Sequence, residues 1–190
     1  MSTIVAVRKN GMVAIAADTL TKWGSTKESS RYVVNHEKII KVRDCYIAIA
    51  GPTSGKVILL DYFAKSKVRL DSVESIYNTW LALHAELKEK HFMNAVEDSS
   101  DSFETTRMDV LIANRHGIFG VGSYRTVQEF SRFYAYGQGG EYAMGSMFAT
   151  YDDPDKSAED LARLGIEAAA EFDHSTGLPM TVYSLKQTKQ

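Results

Sequence analysis

Two apolar runs joined by Asn10-Gly11 constrain this chain more than any other feature of it. Thr3-Ile4-Val5-Ala6-Val7-Arg8 reads as a strand and Met12-Val13-Ala14-Ile15-Ala16-Ala17 as its return. Asn-Gly between apolar runs is the strongest short-range hairpin signal, because the two-residue turn needs positive φ at both central positions. The turn brings the end of the return strand, Asp18, back beside the start of the first strand, near Ser2. That neighbour matters. With Met1 removed, the chain begins with a hydroxyl whose own α-amine, of unperturbed pKa about 7.7–8.0, can serve as its base. Met-Ser alone is an ordinary start that only permits Met removal; the hairpin and the facing acid make Ser2 a candidate nucleophile.

Further along, Cys45-Tyr46-Ile47-Ala48-Ile49-Ala50 reads as a buried strand running into Gly51, followed by a helix over 54–66 with Val57, Leu60, Asp61 and Ala64 in register. A strand-to-helix junction presents free backbone N–H groups, and a glycine there lets a carbonyl approach closely. A second helix is expected over 72–90 with a stripe of Val73, Ile76, Tyr77, Trp80, Leu83, His84 and Leu87. A third is expected over 157–172 with Leu161, Leu164, Ala168 and Phe172 on one face. Met108 to Ala113 and Ile118 to Val121 form a second hairpin. Strand pairs alternating with helix pairs point to a layered α+β fold. With 190 residues, 44% of them hydrophobic, and no Pro- or Gly-rich linker, residues 1–190 are expected to form one domain. Its least structured part is a mobile acidic loop over 94–106, containing Glu97-Asp98-Ser99-Ser100-Asp101.

Ser-Thr-Ile-Val-Ala-Val-Arg-Lys-Asn-Gly followed by Ala-Ala-Asp resembles the opening of proteasome β-type subunits, in particular HslV-type bacterial ones, which usually start Thr-Thr-Ile. The departures from HslV lean towards the bacterial proteasome homologue type. The resemblance implies a four-layer αββα sandwich of the N-terminal-nucleophile hydrolase type. It also implies site roles: Ser2 as nucleophile, Asp18 as its facing acid, and Lys38, in His36-Glu37-Lys38-Ile39-Ile40, as the catalytic lysine. Gly51 is matched to the oxyanion-hole glycine. In Asp173-His-Ser-Thr176-Gly, similar to the family's Asp-x-x-Ser-Gly, Asp173 and Thr176 are matched to the acid and hydroxyl flanking the nucleophile. A cation beside the amine disfavours protonating the base and favours the developing alkoxide. Two positions depart from the pattern: Pro52 removes an N–H after Gly51, and Gln138 stands where the family has a serine. Thr21, Lys22, His36 and Gln138 are candidates for the first substrate pocket, where an inward Lys22 would disfavour basic side chains.

Gly51-Pro-Thr-Ser-Gly55-Lys56-Val57 is not a phosphate-binding P-loop, since a Walker A loop needs four residues between its glycines and Ser or Thr after the lysine. Net charge −2 and the lack of a basic patch argue against nucleic-acid or anionic-membrane partners. The five histidines have no metal-ligand spacing, and no cofactor is expected. The single cysteine, Cys45, suits a reducing compartment, and Arg8-Lys9-Asn10 interrupts any secretory signal, so a cytoplasmic protein is expected.

Three functions fit. The first is a self-compartmentalising N-terminal-nucleophile peptidase that hydrolyses unfolded protein. As the resemblance implies, it would work inside stacked double rings, heptameric rather than hexameric, with a separate unfoldase as an additional partner. The second is an N-terminal-nucleophile amidase acting on small amides. The third is a non-catalytic ring scaffold, consistent with Gln138, Pro52 and a Ser nucleophile.

Overall fold

The computed structural model describes residues 2–96 and 98–188; Met1, Glu97 of the acidic loop and the C-terminal Lys189-Gln190 lie outside them. The first hairpin is β1 (Thr3–Lys9) with β2 (Met12–Asp18), antiparallel with Val5 opposite Ala16 and Lys9 opposite Met12. Asn10 and Gly11 both take positive φ, 53° and 73°, as the tight turn requires. A small hairpin follows, β3 (Thr21–Trp23) and β4 (Thr26–Glu28), then β5 (Ile39–Val42) and β6 (Cys45–Ala50). After α1 (Ser54–Lys65) and α2 (Val73–His91) come β7 (Asp109–Asn114), β8 (Gly117–Val121), β9 (Val127–Phe130) and β10 (Phe133–Gly137). The chain closes with α3 (Gly140–Thr150), α4 (Ala158–Phe172) and β11 (Met180–Lys186).

Among the described residues the strands assemble as β10-β1-β2-β11, as β5-β6-β7-β8-β9 and as the β3-β4 ribbon. The period-2 alternation of the strands explains how the larger sheets pack, because successive side chains leave on opposite faces. Val5, Val7, Ala14 and Ala16 meet Ala143, Met147, Leu161, Ala162 and Ile166 of α3 and α4. Their neighbours Ile4, Ala6, Val13, Ile15 and Ala17 meet Ala48, Ala50, Leu111 and Ala113 of the second sheet. The other face of that sheet, with Ile47, Ile49, Val110 and Ile112, packs on Leu59, Tyr62, Trp80, Leu83 and Leu87 of α1 and α2. Both faces of β1, β2, β6 and β7 are therefore covered, which is why these strands read as continuous apolar runs rather than as half-polar ones.

The helix faces correct the sequence reading. α1 buries Gly55, Leu59, Tyr62 and Phe63, whereas Val57 and Leu60 are exposed. α4 buries Ala158, Leu161, Ala162, Gly165, Ile166 and Ala169; Leu164 and Ala168 are half-buried and Phe172 is exposed. The cause is the partner surface: Ala14 and Ala16 form a shallow sheet face that admits a stripe of small residues. Phe172 instead leans on Tyr142, ring centroids 5.8 Å apart. On α2, Val73 and Tyr77 fall outside the buried stripe and Thr79 falls within it. Both α2 and α4 start at serine capping boxes, Ser72 with Ser75 and Ser157 with Asp160.

The loop over 94–106 has neither helix nor strand among its described residues, but its ends are tied down. Thr105 N–H donates to the Ala95 carbonyl at 2.9 Å, and Arg107 donates to the carbonyls of Asn94 and Val96, each at 2.6 Å. Glu104 is held by His84 and Lys88 of α2.

Candidate active site

Parity along β1 sends its first two residues to different surroundings. Ser2 is buried, 5% exposed, and lines a cleft of about 930 Å³ between the two sheets' ends, together with Lys38, Gly51 and Gln138. Thr3, fully buried, turns the other way with Val5 and Val7, towards α3 and the segment after α4. The Ser2 carbonyl accepts the Gln138 N–H at 3.1 Å. Gly137 is the residue that allows this approach: its φ is 96°, and a Cβ there would stand 1.8 Å from the Ser2 oxygen.

Asp18 ends β2 with no exposure and collects four donors. They are the N–H groups of Thr3 (2.9 Å), Leu20 (3.1 Å) and Gly177 (3.2 Å), and the Lys38 ammonium at 2.6 Å. Lys38 also donates to the Leu20 carbonyl at 2.6 Å. Burial pulls the Lys38 ammonium below the ordinary lysine range and pushes the Asp18 carboxyl above the usual carboxylate range, while their mutual attraction opposes both shifts. Four hydrogen bonds to one carboxylate favour its ionised form, so the pair stands as Asp⁻ and Lys⁺ with a lysine proton easier to lose than in water.

Gly51 follows β6 at the head of α1 and faces the cleft. It sits hard against β7's approach: a Cβ at Gly51 would lie 2.9 Å from Cβ of Met108. Pro52 begins the turn into α1, with its carbonyl accepting Gly55 N–H at 2.9 Å.

Asp173 and Thr176 are brought together, and their contact is with Thr3. Thr176 Oγ1 donates to Asp173 Oδ2 at 2.6 Å, lies 2.6 Å from Thr3 Oγ1, and Thr3 Oγ1 accepts Gly139 N–H at 3.1 Å. The result is a buried hydroxyl chain that ends one residue away from Ser2. Sequence reading missed Thr3, although strand parity carried the signal: a hydroxyl in phase with Val5 and Val7 must face the helices and needs a buried partner.

Thr21, Lys22, His36 and Gln138 all line the cleft, as do Trp23, Glu28, Lys56 and Arg107, which sequence reading did not single out. Gln138 is exposed and contributes its backbone N–H to the site. Among the described residues, no cluster of His, Cys, Asp and Glu is placed to hold a metal ion, and no helix is long and apolar enough to cross a membrane.

The site thus joins a hydroxyl-bearing strand end, a part-buried Lys38 paired with a buried Asp18, and a glycine before a helix start. The proteasome subunit family model matches residues 1–185, and the chain belongs to that family. It is 27% identical to the proteasome subunit beta of Nanoarchaeum equitans, over 97% of this chain and 93% of that protein. With the ATP-dependent protease subunit HslV of Borrelia hermsii it shares 26% identity, covering 89% and 88%. The structure of Thiobacillus denitrificans BPH in complex with epoxomicin superposes with TM-score 0.93 at 52% identity, covering 98% of this chain and all of that one. The HslV of Trypanosoma brucei, at 18% identity and TM-score 0.71 over 97% and 99% of the two chains, shares the fold.

Proposed function

We propose that this chain is a self-compartmentalising N-terminal-nucleophile endopeptidase with Ser2 as its nucleophile. The observation that carries the reading is Ser2 at the cleft with the Lys38–Asp18 pair and Gly51 beside it, in a chain 52% identical to a BPH whose structure is a complex with epoxomicin. Once Met1 is removed, the α-amine of Ser2 takes the proton from Oγ as that oxygen adds to a peptide carbonyl. Gly51 N–H receives the oxyanion, and the Lys38 charge keeps the amine in its basic form and favours the alkoxide. Collapse of the tetrahedral intermediate breaks the C–N bond, and the protonated amine returns its proton to the leaving nitrogen. Water then adds to the ester with the same amine as base, releasing the acid and restoring Ser2 Oγ–H.

Asp18 holds Lys38 by charge and hydrogen bond. Asp173 and Thr176 act through Thr3 to fix the strand end. The three apolar clusters support a four-layer αββα sandwich as a single domain. The assembly is proposed as a stacked double ring, heptameric rather than hexameric, in the cytoplasm. Unfolded chains would enter it with the help of a separate unfoldase; native mass spectrometry gives the ring number. With Lys22 on the cleft wall, cleavage after basic side chains is disfavoured, and a peptide-library profile dominated by Arg or Lys at that position rejects this part.

The test is intact mass before and after epoxomicin, whose epoxyketone needs a hydroxyl and a free α-amine on one residue. Expected is loss of Met1 and one adduct per chain, absent in Ser2→Ala. Retained Met1, or a free N-terminus without adduct, moves the reading to a ring scaffold without catalysis.

A further inference from the structure

The segment from Gly51 to Lys56 lacks the spacing of a phosphate loop, and the fold gives its lysine a different task. Lys56 stands in the first turn of α1, half-buried, and donates to the main-chain oxygens of Asn35 at 2.7 Å and Glu37 at 2.8 Å. Those carbonyls flank His36, whose Nδ1 lies 2.7 Å from the Val33 carbonyl. The Glu37 carboxylate accepts the Tyr183 hydroxyl from β11. Lys38 comes next in the chain, its own carbonyl accepting Ile49 N–H at 3.1 Å. Between β4 and β5 the backbone has no ladder to hold it, so side-chain donors must fix its path. An ammonium bonded to two carbonyls of one tripeptide makes charge-assisted contacts, the strong kind. The same helix start that bears Gly51 therefore grips the segment that delivers Lys38.

We infer that Lys56 is a positioning residue: it clamps Asn35 to Glu37 onto the head of α1 and so fixes the Lys38 ammonium relative to Gly51 across the nucleophile. Its kinetic consequence rests on the peptidase reading; its structural consequence does not. A lysine that merely lined the cleft would touch substrate and set KM, whereas a clamp acts on kcat.

The experiment compares full-length wild type, Lys56→Met and Lys56→Arg by hydrogen-exchange mass spectrometry and by hydrolysis of a fluorogenic peptide. In Lys56→Met, exchange of the peptide covering residues 35–41 is expected to accelerate about fivefold or more while the core strands stay protected. The kcat is expected to fall about tenfold to a hundredfold with KM unchanged, as slight misplacement of a catalytic group entails. Arg, with donors enough for both carbonyls, restores both. Unchanged exchange over 35–41 in Lys56→Met overturns the clamp, and so does a KM effect with kcat intact. Loss of activity that Arg fails to rescue, with exchange raised across the whole chain, also overturns it, as a general structural role. Should the wild type neither cleave peptide nor take epoxomicin, the peptidase reading fails and the exchange comparison still decides the clamp.

Discussion

Two constellations meet at Ser2-Thr3, one built on charge and one on hydroxyls. On the cleft side, the Lys38 side chain keeps 11% of its exposure while Asp18 has none, and the two charges are 2.6 Å apart. On the helix side, Thr3, Thr176 and Asp173 are enclosed, and the acid lies at the far end of two hydroxyls. Proton order there follows from satisfaction alone. Thr176 donates to the Asp173 carboxyl oxygen, so Thr3 must donate to Thr176, and the Thr3 oxygen is left to accept the Gly139 N–H. On the proposed mechanism the contrast is a division of labour: the ion pair would act on the energy of the reacting atoms, and the hydroxyl chain on where the strand end sits.

Removing the charge is the strongest way to break this division. Lys38→Ala takes away the cation beside the amine and leaves Asp18 buried without its counter-ion. The rate of epoxomicin adduct formation should fall about a thousandfold, the upper end for losing one preorganised electrostatic group. A rate within tenfold of wild type would remove Lys38 from the mechanism.

Asp18→Asn should cost less, about a hundredfold, because the cation remains. Its sharper signature is in pH. On the proposed mechanism, activity should rise as the Ser2 α-amine deprotonates and fall when Lys38 loses its proton. Burial already lowers the Lys38 pKa and Asp18 holds it up, so removing the carboxylate lowers it further. The alkaline limb of the pH–rate profile therefore moves to lower pH in Asp18→Asn, and an unmoved or raised limb contradicts the assigned roles.

How much of this the sequence carried depends on distance along the chain. The first hairpin was legible because Asn10-Gly11 and alternating apolar residues are local signals, and the two-residue turn alone returns Asp18 to Ser2. The helices were legible as segments, and so was most of the buried stripe of α2, at Ile76, Trp80, Leu83, His84 and Leu87, but the buried faces of α1 and α4 were not. Which stripe of α4 goes inward depends on Ala14 and Ala16, far away in the chain, and composition favoured the larger Leu164 and Phe172. Lys38, Asp173 and Thr176 were reached through family resemblance, since nothing near them in sequence marks them out. Thr3's partner, 173 residues away, and the grip of Lys56 on Asn35 and Glu37 arise only when the sheets and helices have packed.

The smallest effects should come from the hydroxyl side, and they sharpen the contrast because stability and rate part company there. Thr3→Val keeps the shape and burial of the strand residue but leaves the Gly139 N–H without its acceptor and removes the hydroxyl beside Thr176, which still donates to Asp173. Leaving buried polar groups unmade costs about 1–3 kcal/mol, so the thermal midpoint should drop while the adduct rate falls only about threefold to tenfold. Thr3→Ser retains the hydroxyl and should recover most of the stability, losing chiefly the methyl contact, about 1 kcal/mol. The pH–rate profile should stay in place in both variants, because neither touches Lys38 or Asp18's ion pair. A Thr3→Val profile displaced along the pH axis would mean that the hydroxyl chain carries a proton to the nucleophile, and the division between charge and position would give way to a single connected relay.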